Sequence, residues 1–168
     1  MEILFAFLGA ILGGVITVQY MYVSDRLKFR GDVMVEVVAY CDNVYQLIQE
    51  MHALKNAFMA NNLSDQMSSE YGAYSNQVSV LLKTSAPHTR VAIAYGEGKA
   101  LADLNRLRNE FRDVVTILRK ASPAAWANEN KEIFSRFGER IDPLRVRLQQ
   151  ALSDGARTRS IWQILFRG

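Results

Sequence analysis

Chemistry near neutral pH would have to start from two histidines and one cysteine: His52, His88 and Cys41. Glu50 and His52 stand two apart, on different faces of a helix, so they are not the Glu-x-x-His pair of a di-iron bundle. His88 follows Pro87 and reads as a solvated residue in the first turn of a helix. Neither histidine has an arginine four to six residues before it, so the Arg-x4–6-His signature of helical HEPN-type ribonucleases is missing. Cys41 falls on an apolar stripe and reads as a core residue. The sequence has no phosphate loop, no dinucleotide glycine fingerprint and no Gly-x-Ser-x-Gly elbow. No ligand spacing marks a metal site. The expectation is a non-enzyme with no catalytic, cofactor-binding or metal-ligating residue.

Charge offers a second kind of chemistry. The net charge is +3, and basic residues recur in helical rows. Arg108 and Arg112 are four apart, as are Arg136 and Arg140, while Arg145 and Arg147 follow Pro143. Such rows can hold a phosphate-bearing ligand or nucleic acid. Asp103, Glu110, Asp113, Glu132 and Glu139 lie among them, so the reading preferred from sequence is a balanced, solvated face. Nucleic acid or an anionic ligand is not the expected partner.

What positions everything else is the N-terminus. From Ile3 to Val23 no side chain is formally charged, and as a helix this run would span roughly 30 Å, the thickness of a bilayer's hydrocarbon core. Asp25, Arg26, Lys28 and Arg30 follow at once. A cleavable signal peptide is a poorer fit: Glu2 is the only early charge, the run is long, and no A-x-A-like site follows. The run therefore predicts a retained anchor. Basic residues flank only its C-terminal end, so the positive-inside bias puts the N-terminus outside and the body in the cytoplasm, at the cell's inner (plasma) membrane. Tyr20 and Tyr22 fall where an aromatic belt would lie, with Arg26, Lys28 and Arg30 facing anionic lipid. A lone cysteine suits that compartment.

Small residues recur every four positions within the anchor. Gly9, Gly13 and Thr17 form one ladder; Ala6, Ala10 and Gly14 form another beside it. Residues four apart share a helix face, and small ones let two backbones approach closely where lipid supplies no hydrophobic drive. These six residues predict transmembrane self-association into a homo-oligomer.

The rest of the chain is helical in pattern. The fold expected is all-α: a transmembrane anchor over 1–24, a cytoplasmic antiparallel four-helix bundle over 25–153, and a basic amphipathic tail over 154–168. The first bundle helix, to about Ala60, buries Val37, Cys41, Val44, Ile48 and Met51 and can continue from the anchor unbroken, Gly31 being its one weak spot. A second helix, capped by Ser64, runs to about Thr84 with Met67, Tyr71, Tyr74, Val78, Leu81 and Leu82 inward. Ser85-Ala-Pro87 is expected to start a third, reaching Lys120, with Gly96 and Gly98 able to break its early part. It carries Ala100, Leu104, Leu107, Phe111, Val114 and Leu118. Ser122-Pro123 opens a fourth, with Trp126, Ile133, Phe137, Ile141, Leu144, Leu148 and Leu152 inward and a kink or restart expected near Asp142 because of Pro143.

Four alternating helices return the chain to the membrane side. There Arg157, Arg159, Trp162 and Phe166 could lie in the headgroup region or pack on protein. The function expected is a non-enzymatic membrane scaffold that self-associates and docks a cytoplasmic protein partner. The alternative is an oligomeric pore or membrane-perturbing effector. The layout is similar to that of some oligomeric membrane effectors of prokaryotic antiphage systems, although no residue motif carries the likeness. If the tail is interfacial, Trp162→Glu with Phe166→Glu weakens liposome binding of the domain lacking the anchor; unchanged partitioning in a flotation assay disposes of that reading.

Overall fold

The computed structural model describes residues 2–60 and 65–156, with the side chains of 12–60 and 67–156. Among the described residues there is no strand. Six helices run as α1 (Glu2–Met59), α2 (Asp65–Lys83), α3 (Ala86–Tyr95), α4 (Lys99–Lys120), α5 (Trp126–Arg136) and α6 (Asp142–Ala156), with a π-helical turn, Phe137–Ile141, joining α5 to α6. They build four antiparallel rods: α1; α2 with α3; α4; and α5 through α6.

Contacts at the two ends fix the directions. At one end Arg30 of α1 meets Ala94 at the close of α3 and Gly155 at the close of α6. At the other, Asn56 of α1 accepts a bond from Trp126 Nε1 at the start of α5 (3.2 Å), and Tyr71 of α2 donates to the Leu118 carbonyl of α4 (2.8 Å). The chain thus returns to the end where α1 enters. The seam between the rods is apolar. Val33, Val37, Cys41, Val44, Ile48 and Met51 of α1 are buried, as are Leu104, Leu107, Phe111, Val114 and Leu118 of α4 and Ile133, Phe137, Ile141, Leu148 and Leu152 of the last rod. These stripes follow the helical period of the sequence and turn one face of each rod inward.

Two local expectations change. First, Ser85-Ala-Pro87 does not reverse the chain; it is a break within the second rod. Ser85 is near-helical (φ −94°, ψ −10°) and makes no side-chain capping bond. Pro87 interrupts the backbone ladder without forcing a turn, because its fixed φ suits the first turn of α3. The reversal comes instead at Gly96–Gly98, where Gly96 has φ +75° and its N–H closes α3 on the Ala92 carbonyl. That left-handed conformation favours glycine. Second, Ser122 makes no side-chain cap; the Ala125 N–H bonds its carbonyl at 3.2 Å before α5 begins at Trp126. The restart expected near Asp142 is found: α6 begins at that residue, directly ahead of Pro143. The π turn ahead of it absorbs the discontinuity, with the Asp142 N–H reaching back five residues to the Phe137 carbonyl. Ser64 lies outside the described residues.

Among the described residues no helix is long and apolar enough to cross a membrane. Side chains are described only from Leu12, and the apolar run from there to Asp25 is shorter than the about 20 residues a span requires.

Gly155 carries a sharp constraint. A Cβ there would stand 2.6 Å from Tyr95 Cε1, and that ring is held by its hydroxyl donating to the Arg30 carbonyl at 2.7 Å. Helix propensity alone favours alanine over glycine, but overpacking costs about 1–3 kcal/mol and outweighs it. Gly155→Ala should therefore lower Tm by roughly 5 °C or more in a thermal melt. An unchanged or raised Tm contradicts the close approach.

Candidate functional site

The feature that sets this molecule apart is the first half of α1. Nothing in the helix breaks it between Glu2 and Met59: it holds no proline, and Gly31 sits inside it with open space around its Cα. Before the bundle begins the helix is bare. Leu12, Val15, Ile16, Val18, Tyr20, Met21 and Tyr22 are all more than half exposed, Val18 at 67%. These residues point in every direction around the helix, so no single neighbour within the chain could cover them. A helix apolar on all sides belongs in a core or a membrane. Polar chemistry on it is sparse, and Thr17 Oγ1 donates to the Gly13 carbonyl at 2.8 Å, which satisfies the hydroxyl within the helix.

The expected association ladder is half described. Gly13, Gly14 and Thr17 lie on the exposed segment, and a Cβ at either glycine would meet nothing. The side chains of Ala6, Gly9 and Ala10 lie outside the described residues. Of the expected interface residues, Tyr20, Tyr22, Arg26 and Lys28 are exposed. Arg30 is not spread toward solvent. Its Nε donates to the Ala94 carbonyl (2.8 Å) and its Nη1 to the Gly155 carbonyl (3.0 Å), with the guanidinium 5.6 Å from the Tyr95 ring centroid. It is drawn inward because two helices end there with unpaired carbonyls and a negative pole. Arg157, Arg159, Trp162 and Phe166 lie outside the described residues.

The polar groups of the bundle divide into two kinds. His52 belongs to the interior of the far end: it is buried between the rings of Trp126 and Phe134 and shares Nε2 with Asn130 Oδ1 at 2.6 Å. Glu50 is exposed on another face. Cys41 is buried, and burial, with Asp42 beside it, pushes its thiol up to about 12, so it stays protonated at neutral pH. Asp103, 1% exposed, receives Arg147 at 2.5 Å. Among the described residues no group of three His, Cys, Asp or Glu side chains could hold a metal ion.

The arginine rows are not balanced as a unit. Arg136 pairs with Glu110, Asp113 and Glu132; Arg140 pairs with Glu110, and Arg145 with Asp42 and Asp142. Arg108 and Arg112 instead both donate to the Leu82 carbonyl, left open by the break before α3. The acids expected to offset them are turned toward the last rod. Arg119, further along the same face, donates to the Ser75 carbonyl and to the Ser75 and Ser79 hydroxyls. The pair Arg108 and Arg112 was legible from its spacing; the part of Arg119 in this face and the missing counter-charges were not.

His88 also departs from expectation. Both ring nitrogens are shielded from solvent and have no partner among the described residues. Burial first, then the charges of Arg108 and Arg112, push it down to about 4.

Comparison with protein-family models, with curated proteins and with solved structures finds no match to this chain.

The His88 environment predicts a pH effect. Its folded pKa, about 4, lies below the ordinary 6.5, so between those values the unfolded chain binds a proton that the native one refuses. Stability should be complete above pH 6.5 and fall as pH drops toward 4. Replacing His88 with Gln should flatten that fall in urea titrations across this range, and an undiminished slope contradicts the assignment.

Proposed function

We propose that this chain is a single-pass membrane protein whose cytoplasmic four-helix bundle is carried on a self-associating anchor and acts as a non-enzymatic scaffold for a protein partner. The observation that carries the reading is the apolar, uncovered stretch of α1 running without a break into the bundle. The sequence extends that stretch back to Ile3, which brings it to membrane-spanning length. Leaving such a surface in water is unfavourable by about 25 cal/mol per Å². Lipid covers it on every side, and a helix satisfies its own backbone there. Arg26 and Lys28, exposed just past it, support the inward orientation of the bundle.

Self-association rests on the small-residue ladder, whose described members Gly13 and Gly14 leave room for another backbone. A conducting ring is the weaker reading. The run offers only Thr17 and Gln19 as appreciably polar side chains, and the Thr17 hydroxyl is already bonded to its own helix.

Two experiments separate these parts. Val15→Lys with Val18→Lys should move the protein from a carbonate-resistant membrane pellet to the supernatant, since a lysine at mid-bilayer costs about 2.5–3.5 kcal/mol. Retention in the pellet contradicts the anchor. Gly9→Leu with Gly13→Leu should reduce the mass of the detergent-solubilised assembly by light scattering, and an unchanged mass removes the ladder as the association surface.

A further inference from the structure

Between α2 and α4 lies a groove of about 370 Å³ lined by Ser79, Leu82, Lys83, Arg112, Thr116 and Arg119, with Val115 at its floor. Its charge is one-sided. Among the described residues, no ion pair is formed by Lys83, Arg108, Arg112 or Arg119, whereas Arg90, Arg136, Arg140, Arg145 and Arg147 each meet a carboxylate. The arginines of this groove bond only to neutral oxygens, those of Leu82, Ser75 and Ser79. A guanidinium has five N–H donors, and Arg112 places one of them on Leu82. These cations are thus fixed in place by weak acceptors, with donors left over and their mutual repulsion uncompensated.

Fixed, planar donors suit phosphoryl oxygens, which arginine takes in pairs, while the Ser79 and Thr116 hydroxyls, already donating to the Ser75 and Arg112 carbonyls, only line the groove. The volume falls within the about 300–1,000 Å³ typical of small-molecule sites. Single-stranded nucleic acid is bound on aromatic platforms, and no lining residue here is aromatic. Position argues against a lipid headgroup. At 1.5 Å per residue, Leu82 and Ser75 lie about 18 and 28 Å along the second rod from Ala94, at the end where α1 enters.

We propose that this groove binds a small solution polyanion with two or more adjacent phosphoryl groups, a nucleoside polyphosphate or an inorganic oligophosphate. Arg112, Arg119 and Lys83 hold it, Ser79 and Thr116 line it, and Arg108 braces the Leu82 carbonyl behind it. The site stands on the described bundle; only the argument from position against a lipid headgroup rests on the anchor reading.

The test is calorimetric titration of the full-length protein in mild detergent with inorganic triphosphate, ATP and orthophosphate. Saturable binding of triphosphate or ATP with a Kd of about 10 µM is expected, with orthophosphate at least about tenfold weaker. Equal affinities for triphosphate and ATP mark the phosphate chain as the whole ligand; tighter ATP binding adds the nucleoside. Arg112→Gln with Arg119→Gln should weaken binding at least about tenfold, and the exposed Lys83→Gln should weaken it measurably by itself. Arg140→Gln, whose arginine pairs with Glu110 instead, should leave it unchanged. No saturation at concentrations of about 10 mM overturns the proposal. An equal loss in Arg140→Gln does so too, because it shows a diffuse field. Tighter binding of a single-stranded RNA that triphosphate does not displace would also overturn it.

Discussion

Arg30 sits where α1 enters the bundle, and its guanidinium spans the closing carbonyls of α3 and α6 at 2.8 and 3.0 Å. Each of those helices ends with acceptors that have no partner in the next turn and with a partial negative charge. One fixed cation answers both. The Tyr95 hydroxyl returns a bond to the Arg30 backbone, and Gly155 makes room for the Tyr95 ring. Three of the four rods are thereby registered at a single point, and a larger residue at 155 or a shorter one at 30 would loosen all three.

That point also divides α1. Toward the C-terminus the helix is half-buried from Phe29 and fully buried at Val33; toward the N-terminus its side chains from Leu12 to Tyr22 are exposed. Because the backbone helix continues through the clamp, the apolar segment is not a loosely tethered leader but the extension of a bundle rod. Anything that binds or rotates the bare half is coupled mechanically to the core. The far end of the bundle is closed differently, by a hydrogen-bonded network of His52, Asn56, Asn130 and Trp126. Between those two ends, on the α2–α4 face, lie Arg108, Arg112 and Arg119, whose bonds go to neutral oxygens.

The rods were legible in the sequence because burial of one helical stripe follows the period of the chain. Val37 to Met51, Ala100 to Leu118 and Ile133 to Leu152 all turn inward as their spacing requires, with Leu144 only half-buried. Punctuation was less legible. Proline after serine reads equally as a helix start or as a tolerated break, and only the left-handed Gly96 decides where the second rod reverses. Pro143 announced the restart at Asp142, but a π turn has no sequence signal of its own, so the form of that junction could not be foreseen. Arginine partners were hardest of all. Spacing along one helix places Arg108 and Arg112 near Asp103, Glu110 and Asp113, but tertiary packing turns those acids toward the last rod. The inward turn of Arg30 was hidden for the same reason, since its acceptors lie 64 and 125 residues away in sequence.

Continuity of α1 through the Arg30 clamp is the claim on which the architecture and the proposed anchoring both depend. Amide hydrogen exchange across residues 24–36, measured on the full-length protein in a lipid nanodisc, tests it directly. Slow exchange through the whole stretch, sharply accelerated by Arg30→Met, is the predicted result. Rapid exchange over 24–32 beside slow exchange from Val33 onward would reveal a hinge, and with it two independent elements in place of one rod.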